Sequence, residues 1–225
     1  MADFDLVIFD FDGVIVDSEV ISAQMLIAEL KHYDVHVDGA YVARHFLGRS
    51  YPVVLQQIRD EFGVVLPEGF EADYRARLLA AFEQKLTAMP GIKAVLDGIR
   101  TPYCVATSSS PVRLKSSLEM VGLTAFFEGR SNTASEVARG KPAPDLFLHV
   151  AKRFGVEPSR CLVIEDSLAG VRAGLSAGMT VWRFVGGSHL IGLELPIDET
   201  AQPHRVFAHF DELFQIAPEL TGEAT

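Results

Sequence analysis

Leu6-Val7-Ile8-Phe9-Asp10-Phe11-Asp12-Gly13 opens on four consecutive apolar residues and closes on two carboxylates and a glycine. A short apolar run bounded by a turn signal predicts a strand buried on both faces. Residues at i and i+2 of an extended chain point the same way, so Asp10 and Asp12 are expected to face one small space at the strand's C-terminal end. Gly13 lets the backbone turn sharply away. Two acids so placed can divide phosphoryl chemistry between a nucleophile and a proton shuttle. Standing alone, the same pair reads as an acidic turn after a core strand.

Outward from this strand, the next segment loses the strand signal and takes on helical spacing. Val20, Ile21, Met25, Leu26 and Leu30 predict one helix face, Val54, Leu55, Ile58 and Phe62 a second, and Tyr74, Leu78, Leu79 and Phe82 a third. This reads as a helical insert. Pro90-Gly91 ends it, and strands then alternate with helices. The strands are expected at 103–106, 161–164, 180–185 and near 206–207; the helices are expected from Pro111 to Gly122, over 145–154, over 168–177 and at 212–214. Ser110-Pro111 has the form of an N-cap followed by proline at the first helical position. Repeated alternation implies an α/β fold, a doubly wound parallel sheet covered on both faces.

Three clusters fall where open α/β sheets place their ligands, at strand C-termini and helix starts. Thr107-Ser108-Ser109-Ser110 offers hydroxyls and N–H groups beside a helix N-terminus, a cradle for phosphate oxygens, with capping as the plainer role of Ser110. Gly140-Lys141-Pro142-Ala143-Pro144 holds a lysine in a stiff backbone. A fixed cation near two acids screens the approach of an anionic nucleophile to an anionic phosphate, although a lone lysine before a helix is also a common surface residue. Glu165-Asp166-Ser167 follows an apolar strand; with Asp10 it could supply oxygen ligands to Mg2+, or serve only as a helix cap.

In identity and order, Asp10-Phe11-Asp12-Gly13-Val14-Ile15-Val16-Asp17-Ser18, Thr107, Lys141 and Glu165-Asp166 resemble the four motifs of the haloacid dehalogenase superfamily. Gly140 to Phe147 and Glu165 to Gly170 resemble the branch of β-phosphoglucomutase and small sugar-phosphate phosphatases. The resemblance implies a Rossmann-like core of residues 1–15 and 88–225 with a helical cap of residues 16–87. It makes Asp10 the nucleophile and Asp12 the acid/base. It has Thr107 and Ser108 bind the phosphate, and Lys141 orient Asp10 and neutralise charge. It assigns Mg2+ to Asp10, the backbone carbonyl of Asp12, and Asp166, with Glu165 as a helper behind them. In the cap, His45-Phe46-Leu47-Gly48-Arg49-Ser50-Tyr51 resembles the branch's specificity loop, in which Arg49 would bind a substrate oxygen or carboxylate.

Dehalogenases of the superfamily lack the second aspartate, so Asp12 implies phosphate-ester chemistry. The expected activity is hydrolysis of a small phosphorylated metabolite, a sugar phosphate such as 6-phosphogluconate, through an aspartyl-phosphate. Mutases of this branch resemble one another in a histidine where this chain has Ser22, which weighs against the alternative of a phosphosugar mutase. A catalytically silent binding protein on the same fold is the alternative of another class.

Composition bounds the remaining roles. At 225 residues with 48% hydrophobic content the chain can bury a large core. Its net charge of −10 opposes binding to nucleic acid and anionic membrane. Cys104 and Cys161 sit in strand-like runs and are expected as reduced core thiols, and no signal peptide is read at the N-terminus. A cytoplasmic enzyme, monomer or weak dimer, is the expectation.

Overall fold

The computed structural model describes residues 4–49, 51–192 and 199–221. Six parallel strands form one sheet: β1 (Leu6–Phe9), β2 (Tyr103–Thr107), β3 (Ser131–Thr133), β4 (Cys161–Glu165), β5 (Thr180–Phe184) and β6 (Arg205–Phe207). Their order is β3-β2-β1-β4-β5-β6. The chain works outward from β1 through β2 to β3, then crosses back to β4 on the other side. The loops after β1 and β4 therefore diverge at a switch point, where such sheets open a crevice. Phe9 is level with Val105 on one side and Ile164 on the other, which brings the ends of β1, β2 and β4 together.

The sheet is apolar on both faces because both are covered. Val7, Phe9, Val105, Leu162 and Ile164 pack on one face with α5 (Ile92–Gly98), α6 (Pro111–Met120), α7 (Thr124–Phe127) and α10 (Leu213–Ile216). Leu6, Ile8, Cys104, Cys161 and Val163 pack on the other, with α8 (Asp145–Phe154) and α9 (Leu168–Ser176). Both cysteines are buried and unbridged. The Ser110 hydroxyl caps α6 by accepting the Arg113 N–H, Pro111 follows it, and Gly122 (φ +69°) ends the helix region as the spacing predicts.

Between β1 and α5 lie α1 (Glu19–Leu30), α2 (Gly39–His45), α3 (Tyr51–Phe62) and α4 (Phe70–Lys85). They share their own core of Leu26, Leu30, Val54, Ile58, Leu78 and Phe82. The buried stripe of α1 differs from the expected face: it runs through Ser22, Leu26, Glu29 and Leu30, while Val20 stands to the side. Glu29 tolerates burial because Arg77 of α4 bonds its carboxylate at 2.5 Å. Phe62 is 36% exposed rather than core, set edge-on against Tyr41. The chain leaves and re-enters the sheet domain side by side, since Val16 bridges antiparallel to Ala88 and Asp17 donates its N–H to Thr87 O. We propose this double crossing as the border of a core of 1–15 and 88–225 and a cap of 16–87. No helix among the described residues is long and apolar enough to cross a membrane.

Ile8 is fully buried in β1, in the core shared with α8 and α9. Ile8→Ala is expected to lose about 2–5 kcal/mol of unfolding free energy, measured by urea denaturation.

Candidate active site

The Asp10 N–H continues the β1–β4 ladder by donating to Ile164 O at 2.9 Å, so the Asp10 carboxylate stays where the strand puts it. Beyond Asp12 the chain folds back at Gly13 (φ +83°), and a Cβ there would stand 2.1 Å from Asp166 Oδ2. Only glycine meets both demands. Lys141 is fully buried and spends its three protons inside the site: on Asp10 Oδ1 at 2.5 Å, Glu165 Oε1 at 2.7 Å and Ala106 O at 3.1 Å. Burial alone would lower its pKa, but the Asp10 and Glu165 carboxylates outweigh that and hold the ammonium protonated above the ordinary lysine range.

Glu165 is fully committed. Its Oε1 takes the lysine, and its Oε2 accepts the N–H and hydroxyl of Ser167 at 2.8 and 2.9 Å. The α9 helix comes close enough for this because residue 170 is glycine; a Cβ there would lie 1.7 Å from Glu165 Oε1. Asp10, Glu165 and Asp166 bring one oxygen each within 4.8 Å of one another. Three buried carboxylates against one ammonium leave a surplus of negative charge. Burial therefore pushes Asp10 well above the usual carboxylate range, with Lys141 opposing the shift, and pushes Asp166 up with Glu165 adding to it. Asp166 Oδ2 is buried without a hydrogen-bond partner among the described residues. A divalent cation fits this site on both counts, by charge and by the unspent oxygen.

The Asp12 carboxylate has three donors around it. Ser18 Oγ and Arg113 Nη2 each reach Oδ1 at 2.6 Å, and Ser109 Oγ reaches Oδ2 at 2.5 Å. Two of these are hydroxyls, which can turn and accept instead. Asp12 can thus carry or lose a proton without stranding a buried partner. Thr107 ends β2 and its Oγ1 accepts the Ser109 N–H at 3.0 Å, while Ser108 Oγ donates to Gly48 O of the cap at 2.9 Å.

A cavity of about 280 Å³ lies between these groups and the cap. Asp10, Asp12, Thr107 and Ser108 line one end, and apolar cap residues such as Leu26, Phe46 and Leu78 line the other. Arg49 also reaches its wall, partly held there by Nη1 donating to Gln57 Oε1 at 3.3 Å. Its neighbour Ser50 lies outside the described residues. The structure thus brings Asp10, Lys141 and Asp166 into one cluster with Glu165, and Asp10 shares the adjoining cavity with Asp12, Thr107, Ser108 and Arg49.

Three site residues escape the sequence reading. Arg113 joins Asp12 to the cap, with Nη2 also 3.1 Å from Ser22 Oγ and the guanidinium 5.1 Å from the Phe82 ring centre. Glu19, at the start of α1, lines the cavity, and burial together with Asp12 and Asp166 pushes its carboxyl to about 8. His189 places Nε2 at 2.8 Å from Asp166 Oδ2. Burial lowers the imidazole pKa, which favours its neutral form. A polar residue two places after Pro111, and a histidine after a Gly-Gly pair at the end of β5, were the available signals.

The comparisons with known proteins agree with this geometry. Residues 4–178 match the model of the haloacid dehalogenase-like hydrolase family. The chain is 30% identical to the 6-phosphogluconate phosphatase of Escherichia coli, over 84% of this chain and 86% of that protein. Among solved structures, a haloacid dehalogenase-like protein of unknown function from Agrobacterium tumefaciens aligns with a TM-score of 0.77 and 32% identity, covering 96% of this chain and 98% of that one. A family hydrolase from Deinococcus radiodurans, determined with bound phosphate and sodium, aligns with a TM-score of 0.72 and 34% identity over 97% of each chain. The chain belongs to the haloacid dehalogenase-like hydrolase family, as a phosphoric monoester hydrolase.

Proposed function

We propose that this enzyme is a Mg2+-dependent phosphatase that hydrolyses a small sugar phosphate, of the kind named by its 6-phosphogluconate phosphatase relative, through an aspartyl-phosphate on Asp10. The observation that carries the reading is the Asp10–Lys141 pair, buried at a strand end beside Asp12, a second carboxylate provided with reversible proton partners. Thr107 and Ser108 hold the phosphate at the cavity's inner end. Asp10 then attacks phosphorus, the ester P–O bond breaks, and its electron pair stays on the leaving oxygen, which takes a proton from Asp12. Water next gives its proton to Asp12 as its oxygen attacks phosphorus, and the second P–O bond breaks to restore the Asp10 carboxylate. Lys141 neutralises Asp10 and fixes its orientation throughout.

Asp10, the Asp12 carbonyl and Asp166 would hold Mg2+, with Glu165 turned away onto Lys141 and Ser167. When bound, the ion supplies charge neutralisation at the phosphate. Arg49 is the distal contact for the rest of the substrate. Ser22 sits where a mutase presents an imidazole, and its hydroxyl is taken up by Ser18 O and Arg113.

Asp10→Asn should retain less than about a hundredth of wild-type phosphate release, since it removes the nucleophile. Chelation should silence the wild type and added magnesium restore it, both followed by free phosphate. Turnover of a hexose 1-phosphate should give free phosphate with no 6-phosphate isomer, even with catalytic bisphosphate present. Arg49→Ala should raise KM for a sugar phosphate at least about tenfold while changing an aryl phosphate little, because remote contacts act only on substrates that have them.

The charge surplus gives a further expectation for the metal-free protein. A carboxyl whose pKa rises on folding adds stability at low pH and loses it as pH climbs through the raised value. Relative to Asp166→Asn, the metal-free wild type should therefore become steadily less stable as pH climbs above the ordinary aspartate range near about 4. Urea denaturation in chelator at stepped pH measures this gap, and saturating magnesium should close it.

A further inference from the structure

The loop after β5 ends in a short 3₁₀ turn, Ser188–Leu190, which packs on α1 and is pinned to the first motif: Ser188 donates its hydroxyl and its N–H to Asp17 Oδ1 at 2.8 and 3.2 Å. The turn carries His189 up to Asp166 of the acidic cluster. Its side chain is 6% exposed, and Nε2 stands 2.8 Å from Asp166 Oδ2. The approach is off the line of a formed hydrogen bond, so Asp166 Oδ2 and both imidazole nitrogens are buried without partners among the described residues.

The space for the ring is made by two glycines. A Cβ at Gly187 would stand 2.6 Å from His189 Cε1, and one at Gly13 would stand 2.9 Å from the same atom. Both residues are otherwise spent on backbone turns, yet both leave room for this imidazole. An unmet donor and an unmet carboxylate oxygen side by side, in a pocket cleared for them, cost free energy until they align.

We propose that His189 is a positioning residue for the metal site, its Nε2–H holding one oxygen of Asp166 and so fixing the orientation of that carboxylate within the acidic cluster. The inference rests on the reading of Asp166 as a metal ligand. The ligand atoms that gather within 4.8 Å of one another are those of Asp10, Glu165 and Asp166, and His189 touches the cluster through Asp166. Partners of this kind, set behind a ligand, govern how well the ligand is presented.

The test is Mn2+ binding to the full chain without substrate, followed by the electron paramagnetic resonance signal of free Mn2+. His189→Phe keeps a ring in the space but no nitrogen, and His189→Ala removes the ring; circular dichroism of the metal-free variants checks that they fold. Either folded variant is expected to bind Mn2+ about 10–100-fold more weakly than wild type, the range for loss of such a partner. Affinity within about twofold of wild type in a folded variant overturns the proposal. Asp166→Asn separates the two readings. If it binds Mn2+ like wild type, the ligand assignment itself fails; if it loses binding while the His189 variants keep it, only the role of His189 fails. Pulsed measurements on Mn2+-loaded wild type need no variant: they should show no directly bonded nitrogen, and a bonded nitrogen would replace positioning by direct ligation.

Discussion

The Lys141 ammonium, shut away between Asp10 and Glu165, is the interaction on which the rest of this molecule is arranged. Breaking one side of a buried ion pair costs about 3–5 kcal/mol, because the abandoned charge stays in a medium that cannot solvate it. Each surrounding feature serves that pairing. The β1–β4 register sets Asp10 and Glu165 on neighbouring strand ends, Gly170 lets α9 approach, and Ser167 occupies the far oxygen of Glu165. The lysine then has no freedom left, and Asp10 is held at the wall of the cavity.

Around this fixed centre, the second carboxylate is held differently. Asp12 answers to three elements at once: Ser18 at the entrance to the cap, Ser109 after β2, and Arg113 on α6. Arg113 in turn touches Ser22 of α1 and lies over Phe82 of α4. The Asp10 carboxylate is thus compensated from within the core, by a buried lysine, while the Asp12 carboxylate is held by groups from both cap and core.

Much of this was legible in the sequence, and the reason is local. A strand followed by Asp10-Phe11-Asp12-Gly13 needs no knowledge of distant residues to predict where its acids go, and Ser110-Pro111 announces its helix in two letters. The three-residue β3 carries no such signal: Ser131-Asn132-Thr133 is polar, and it is a strand because it pairs with β2 and because Asn132 donates to Val105 O. The α2 helix is equally silent, being a single short run started by the Asp38 side chain accepting the Tyr41 N–H. Arg113 and His189 were illegible for a related reason. Asp12 lies 101 positions before Arg113, and His189 meets Asp166 only because β5 lies beside β4, so their meaning exists only after the chain has folded.

One cap contact couples the cap to the core. Gly48 O accepts the Ser108 hydroxyl, and Gly48 sits against Ser167 so closely that a Cβ would lie 2.1 Å from its oxygen. The cap thus rests directly on the loop after β2 and on the residue that bonds Glu165, so any movement of the cap away from the core must break the Ser108–Gly48 hydrogen bond and lift Gly48 off Ser167, a coupling that ties the position of residues 16–87 to the β2 and β4 ends of the sheet.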